Sequence, residues 1–179
     1  MRKAILIFCA ALLLVFGVHA SFAASDFPKS EYAARRSRMI DKIPDGIAII
    51  LGATSTISDR QFFQNNDFFY FCGVEVPNAV LIIDGIRKKS SLFFSLNENE
   101  ARSEGLPLEL VHNPKEVTGV EAIYPYNRLT PTLLGLASRT KIFYTTYKPE
   151  ELMRENSNEK FRAFQNTITM NLWDGRLTR

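Results

Sequence analysis

The run Ile47-Ala48-Ile49-Ile50-Leu51 constrains this chain more than any other feature. Five consecutive apolar side chains leave no polar face, and the run is short, so it reads as a strand buried on both faces. Pro44-Asp45-Gly46 precedes it as a turn. Upstream, from Ser30, the pattern is helical. Ser30 can cap, Glu31 sits favourably in the first turn, and Tyr32, Met39, Ile40 and Ile43 recur on one stripe, with Arg35, Arg38 and Lys42 together on another face. Helix then strand points to an α/β fold.

Downstream, Gly52 to Asn66 is mostly polar and reads as a long loop, a type that is often functional. Phe68-Phe69-Tyr70-Phe71-Cys72 reads as a strand ending at Gly73, with Phe68 and Tyr70 on one side and Phe69 and Phe71 on the other. The alternative for this run is an aromatic ring presented at a rim. Val80-Leu81-Ile82-Ile83 and Leu92-Phe93-Phe94-Ser95-Leu96 form a hairpin across Asp84-Gly85 and the basic turn Arg87-Lys88-Lys89. Asn97 to Glu104 is a short acidic helix or turn, broken by Gly105-Leu106-Pro107. A strand follows near Ala122-Ile123-Tyr124. Thr130-Pro131 supplies an N-cap and first helical position for a helix carrying Leu133, Leu134 and Leu136, and Lys141 to Thr146 is the next strand. Strand, helix, strand predicts a parallel crossover unit. From Glu150 to about Met170 the pattern is again helical, and Asn171 to Arg176 reads as the start of a further connection, as in a chain that continues.

The first residues have a different character. Met1, Arg2 and Lys3 form a positive start, and Ala4 to Val18 is an almost unbroken apolar stretch of fifteen residues. At about 1.5 Å per residue it reaches only ~22 Å, short of a bilayer's ~30 Å core, and Ser21-Phe22-Ala23 offers a cleavage site. Residues 1–23 therefore read as a signal peptide and residues 24–179 as one exported domain, periplasmic or extracellular, with no stable membrane anchor. Cleavage removes two of the 22 basic residues and none of the 19 acidic ones, which leaves the charge near balance. With Arg87-Lys88-Lys89 as the only basic run, nucleic-acid binding is not expected. The composition of the whole chain, 46% hydrophobic and 23% charged, is that of an ordinary globular protein and excludes disorder.

Cleavage also takes Cys9 and His19, so the product keeps one cysteine, Cys72, and one histidine, His112. No internal disulfide can form, and zinc sites of the usual type are not expected. Cys72 ends an apolar run and reads as a packing thiol; His112, in Val111-His112-Asn113-Pro114, reads as a surface residue. Glu98, Glu100 and Glu104 form the densest carboxylate group, but nothing apolar nearby would raise their pKa values, so they read as solvated. The chain has no G-x-S-x-G, G-x-G-x-x-G, Walker A, H-E-x-x-H or C-x-x-C motif. No catalytic residue and no metal ligand is assigned.

The most unusual segment is Gln64-Asn65-Asn66-Asp67-Phe68-Phe69-Tyr70-Phe71-Cys72-Gly73-Val74, followed by Pro77-Asn78-Ala79-Val80-Leu81. Here the chain resembles the N-terminal domain of the Xaa-Pro aminopeptidase (aminopeptidase P) and prolidase group of metallopeptidases. The resemblance is colinear over roughly Glu31 to Tyr147, through the helix around Arg35-Arg36, the strand Ile47 to Leu51, the block Phe62 to Gly73, Pro77 to Leu81 and Leu92-Phe93-Phe94. Phe63 is a departure where members often carry Arg, and Phe69 stands where some carry Trp. The resemblance implies an α/β domain with a mixed β-sheet flanked by helices, of the creatinase and aminopeptidase P N-terminal type. It also implies a C-terminal catalytic domain, missing from this sequence, that holds two metal ions, typically manganese, and removes the residue before proline. Its metal ligands come from that half, so this chain alone is expected to be inactive and to hold no cofactor. In such enzymes the N-terminal domain supports homo-oligomers, and an aromatic matching Phe69 reaches a neighbouring active site. Asp67 and Phe69 are thus the candidates for a substrate rim or subunit contact. A free-standing binding or oligomerisation module without enzymatic activity is the alternative.

Overall fold

The computed structural model describes residues 27–54, 62–140 and 142–145. Its elements follow in the order α1 (Lys29–Lys42), β1 (Ile47–Leu51), α2 (Asn66–Cys72), β2 (Val80–Asp84) and β3 (Lys89–Phe94), then three short helices, α3 (Glu98–Ser103), α4 (Glu109–His112) and α5 (Pro114–Thr118). After β4 (Ala122–Pro125), a 3-10 turn (Tyr126–Arg128) runs into α6 (Leu129–Ala137), and β5 (Phe143–Thr145) follows. The signal-like residues 1–23, the helix expected from Glu150 and the connection at Asn171 to Arg176 lie outside the described residues, as does part of the polar loop, 55–61.

The five strands form one mixed sheet in the order β4-β3-β2-β1-β5. β2 is antiparallel to both β1 and β3, whereas β4 is parallel to β3 and β5 is parallel to β1. The apolar runs occupy the centre, with Ile49 opposite Ile82 and Ile82 opposite Ser91. Alternate residues of these strands serve two cores, as the period of two requires. On one face Ala48, Ile50, Leu81, Ile83, Leu92 and Phe94 pack with Phe68 and Cys72 of α2, with Ile43 and with Leu110 of α4. On the other, Ile47, Ile49, Val80, Ile82 and Phe93 pack with Leu129, Leu133 and Leu136 of α6. β1 is buried along its whole length, which is why it carries no polar residue.

Four local expectations need correction. Phe68 to Cys72 is helical, not a strand. Phe68 and Cys72, four apart, are both buried, and Tyr70 between them is exposed, so the burial period is that of a helix. Gly73 closes the helix in the left-handed conformation at φ 67, its N–H bonded to the Phe69 carbonyl. Tertiary packing has overridden the strand preference of aromatic residues. Ser30 does not cap α1: the cap position is the extended Pro28, with no side-chain bond, and Ser30 lies inside the first turn. Thr130 and Pro131 likewise fall inside the first turn of α6, because the 3-10 turn feeds the helix from Leu129. Pro131 is tolerated there since the first N–H groups of a helix have no partner within it. Finally, β4 and β5 are not neighbours. They form opposite edges of the sheet, and α6 carries the chain between them. The parallel neighbours joined by helices are β3 and β4, through α3 to α5.

Candidate functional site

The block Gln64 to Gly73 forms a corner at the C-terminal end of β1. Its two amides join the loops there. Gln64 Oε1 accepts from the backbone N–H groups of Ala53 and Asn65, its Nε2 donates to the Val76 carbonyl at 2.9 Å, and Asn65 Nδ2 donates to the Leu51 carbonyl at 3.1 Å. A Cβ on Gly52 would lie 2.9 Å from the Ala79 carbonyl oxygen and 3.2 Å from Gln64 Oε1, so this close approach needs glycine. The polar half of the block thus fixes where α2 begins, and the aromatic half takes its direction from that.

Of α2's rings, Phe68 enters the core, Phe69 lies half-buried edge-on to Tyr32 with centroids 6.1 Å apart, and Tyr70 points outward at 48% exposure. Arg35 of α1 holds the outer ring in place. Its guanidinium carbon sits 4.5 Å from the Tyr70 centroid, 4.7 Å from that of Phe27 and 5.1 Å from that of Tyr32. Its Nη1 donates to the Tyr70 carbonyl at 3.2 Å, and its Nε donates to Glu31 at 3.0 Å. The hydrogen bond from Arg35 is the largest cause that holds the Glu31 carboxyl below its ordinary range, and Arg38, at 3.2 Å, adds to it. Phe27 is 51% exposed and Phe63, beside the corner, 63%. The result is an exposed aromatic surface braced by a cation.

Asp67, the first of the two candidate residues, is exposed in the first turn of α2. Phe69, the second, is turned toward Tyr32, so the more exposed ring is its neighbour Tyr70. Arg36 was not singled out by the helix pattern, yet it is the largest side chain buried to this degree, at 1% exposure. Its Nε donates to Ser90 Oγ at 3.1 Å, Nη1 to the Phe71 carbonyl at 2.9 Å and Nη2 to the Gly119 carbonyl at 2.6 Å, while Ser90 Oγ in turn donates to Glu121. The signal was available: position 36 is one helical turn from Tyr32 and from Ile40, on the apolar stripe itself.

The remaining candidates are plain. Cys72 is buried, and burial pushes its thiol up to about 12, far from thiolate chemistry. His112 Nε2 lies 2.9 Å from Glu98 Oε1, both side chains about half exposed. The bond to His112, followed by that to Arg102, lowers the Glu98 pKa. Among the described residues no group of three or more His, Cys, Asp or Glu side chains comes together to hold a metal ion. No helix among them is long and apolar enough to cross a membrane.

The family model for the aminopeptidase P N-terminal domain matches residues 32–144. The Xaa-Pro aminopeptidase of Escherichia coli (strain K12) is 30% identical over 77 residues, covering 38% of this chain and 18% of that protein. Among solved structures, Icp55 from Saccharomyces cerevisiae is similar with a TM-score of 0.61 and 20% identity, over 80% of this chain and 34% of that one. Escherichia coli aminopeptidase P with the inhibitor Pro-Leu gives a TM-score of 0.60 at 21% identity, over 85% and 34%. The chain therefore spans about a third of the length of those structures and less than a fifth of the curated relative. At such identities the structural likeness establishes the fold, a mixed open sheet flanked by helices.

Proposed function

The chain belongs to the aminopeptidase P N-terminal domain family, and on that footing we propose that it is the non-catalytic leading domain of an exported Xaa-Pro aminopeptidase. Its work in this reading is to hold subunits together through the aromatic surface of α1 and α2. The observation that carries the proposal is the stack Phe27–Arg35–Tyr70, in which the largely covered Arg35 joins two half-exposed rings beside Phe69. An arginine between aromatic rings, with a half-exposed tyrosine, has the composition found at the centres of protein interfaces.

Manganese, implied for the whole enzyme, does not fit the described residues. The Glu98–His112 pair supplies one carboxylate and one imidazole, and no third donor joins them. Removal of the residue before proline is accordingly assigned to another domain of the whole protein, and no catalytic step is assigned here.

Three measurements test this reading. The purified chain, given manganese and an Xaa-Pro peptide, is expected to show no turnover; turnover would overturn the non-catalytic assignment. Sedimentation is expected to show self-association that Tyr70→Glu weakens at least tenfold, and a variant that associates like the parent overturns the subunit contact. Export rests on residues 1–23, and the mature product is expected to begin at Ala24 when its N-terminus is sequenced.

A further inference from the structure

Independently of that reading, we propose a second site: the cleft between α6 and the β2–β3–β4 part of the sheet binds a small organic anion carrying two negative charges, of the phosphomonoester type. The cleft is open to solvent, lies on the face opposite α1 and has a volume of about 210 Å³. That is below the usual ~300–1,000 Å³ range of sites for drug-sized ligands. Its size suits a phosphate group with a small body attached.

The charge of the lining selects the ligand. Arg87 comes from the turn between β2 and β3, Lys89 opens β3, and Arg139 follows α6, so three separate elements each deliver a cation to one concavity. All three are exposed, and none makes an ion pair or side-chain hydrogen bond with another described residue. Arg35, Arg36, Arg38 and Arg102, by contrast, each have a side-chain partner. One carboxylate, Asp84, also lines the cleft; it is 4% exposed and its Oδ1 accepts from the Arg87 backbone N–H at 2.9 Å. Three cations against one carboxylate leave two positive charges uncompensated, which calls for a dianion. Guanidinium groups bind phosphate and carboxylate oxygens through paired N–H donors, and two of the three cations here are arginines.

The inner wall supplies the other half of the recognition. The half-buried Tyr124 ring is the apolar surface open to a ligand, backed by Ile82 and Leu136, which are themselves 2% and 5% exposed. An inorganic ion would leave the Tyr124 ring uncovered, whereas a ligand with a short apolar body would lie against it. A nucleic acid is a poorer match, because the cations converge on one small concavity instead of tracking along a surface.

The test is a titration of the full chain, followed by calorimetry or by amide shifts, with inorganic phosphate and with phenyl phosphate at low salt. Saturable binding of both is expected, with phenyl phosphate several-fold tighter. Arg87→Ala and Arg139→Ala are each expected to weaken binding about five-fold, a size consistent with exposed charge-assisted bonds. Lys42→Ala, on the opposite face, is expected to change nothing. Both arginines are exposed, and an unchanged melting temperature confirms that the variants fold. No saturation at tens of millimolar, or equal weakening by all three variants, overturns the site; equal affinity for the two probes overturns its organic ligand. None of these readouts involves self-association or peptide cleavage, so this inference and the proposed function can fail separately.

Discussion

Arg35 and Arg36 are adjacent in α1 and carry the same charge, yet one braces a surface and the other braces the interior. Arg36 points under the helix, where it bonds to β3 through Ser90, to the end of α2 through the Phe71 carbonyl and to the approach to β4 through the Gly119 carbonyl. Arg35, a hundred degrees round the helix, lies among rings of which Phe27 and Tyr70 are about half exposed. The comparison separates two uses of a cation. Inside, its hydrogen-bond donors matter, because each acceptor left unpaired there keeps its full desolvation cost. Outside, its flat face matters, because it fixes the orientation of aromatic rings in contact with water.

The largest predicted effect breaks the interior half of this comparison. Arg36→Met keeps much of the side-chain volume but removes every donor, stranding the Phe71 and Gly119 carbonyls and taking one of two partners from Ser90 Oγ. A loss of about 3 kcal/mol or more is expected from urea denaturation. A loss below about 1 kcal/mol would mean that water or a neighbour satisfies those acceptors, and that the buried guanidinium is not what joins α1 to the sheet.

Next in size is the residue on which both arginines depend for the position of α2. Gly73 has φ 67, and a Cβ there would lie 2.4 Å from the Tyr32 ring. Gly73→Ala is expected to cost about 2 kcal/mol, the backbone penalty plus displacement of Tyr32. Because Tyr32 touches both Phe69 and Arg35, the same change should also disturb the surface stack. Thermal melting and near-ultraviolet dichroism of the aromatic residues check the two consequences together.

How far these features were legible in the sequence depends on how local their causes are. β1 and the β2–β3 hairpin could be read because a doubly buried strand must be apolar throughout and a short turn must hold polar or glycine residues. α2 was misread because four consecutive aromatics satisfy a period of two as well as a helical one; Gly73 favours a helix end only once the burial of both Phe68 and Cys72 is known. Arg36 was hidden for another reason. Its place on the stripe of Tyr32, Met39, Ile40 and Ile43 was visible, but a cation on an apolar stripe becomes meaningful only when acceptors from residues 71, 90 and 119 meet it. The basic cleft is the extreme case, assembled from residues between 82 and 139 that no spacing rule connects.

The surface half of the comparison predicts a smaller stability effect with a larger effect on association. Arg35→Ala is expected to cost about 1 kcal/mol, since two of the three rings it touches, Phe27 and Tyr70, are about half exposed. It should nevertheless weaken self-association as Tyr70→Glu does, because Tyr70 loses the group that orients it. Arg36→Lys gives the opposite profile: lost stability with the surface stack intact. If the two arginine variants change stability and sedimentation in the same proportion, the two roles are not separate.

The smallest effect is a titration that reports on the Arg35 side alone. Glu31 has a pKa below its ordinary value, chiefly through its hydrogen bond from Arg35. A folded-state pKa below the unfolded one means that the unfolded chain takes up its proton first as pH falls. The contribution of Glu31 to stability is therefore complete above the unfolded value, near 4.3 for a free glutamate, and is lost as pH drops through the folded value. Arg35→Ala removes the principal cause, so carboxyl NMR should find Glu31 titrating at a higher pH, with the stability change confined to the acid limb. Arg36→Met makes no contact with Glu31 and should leave that titration where it was. A Glu31 curve that shifts equally in both variants would show α1 responding as one body, and the division of labour between its adjacent arginines would then be a matter of position without energetic consequence.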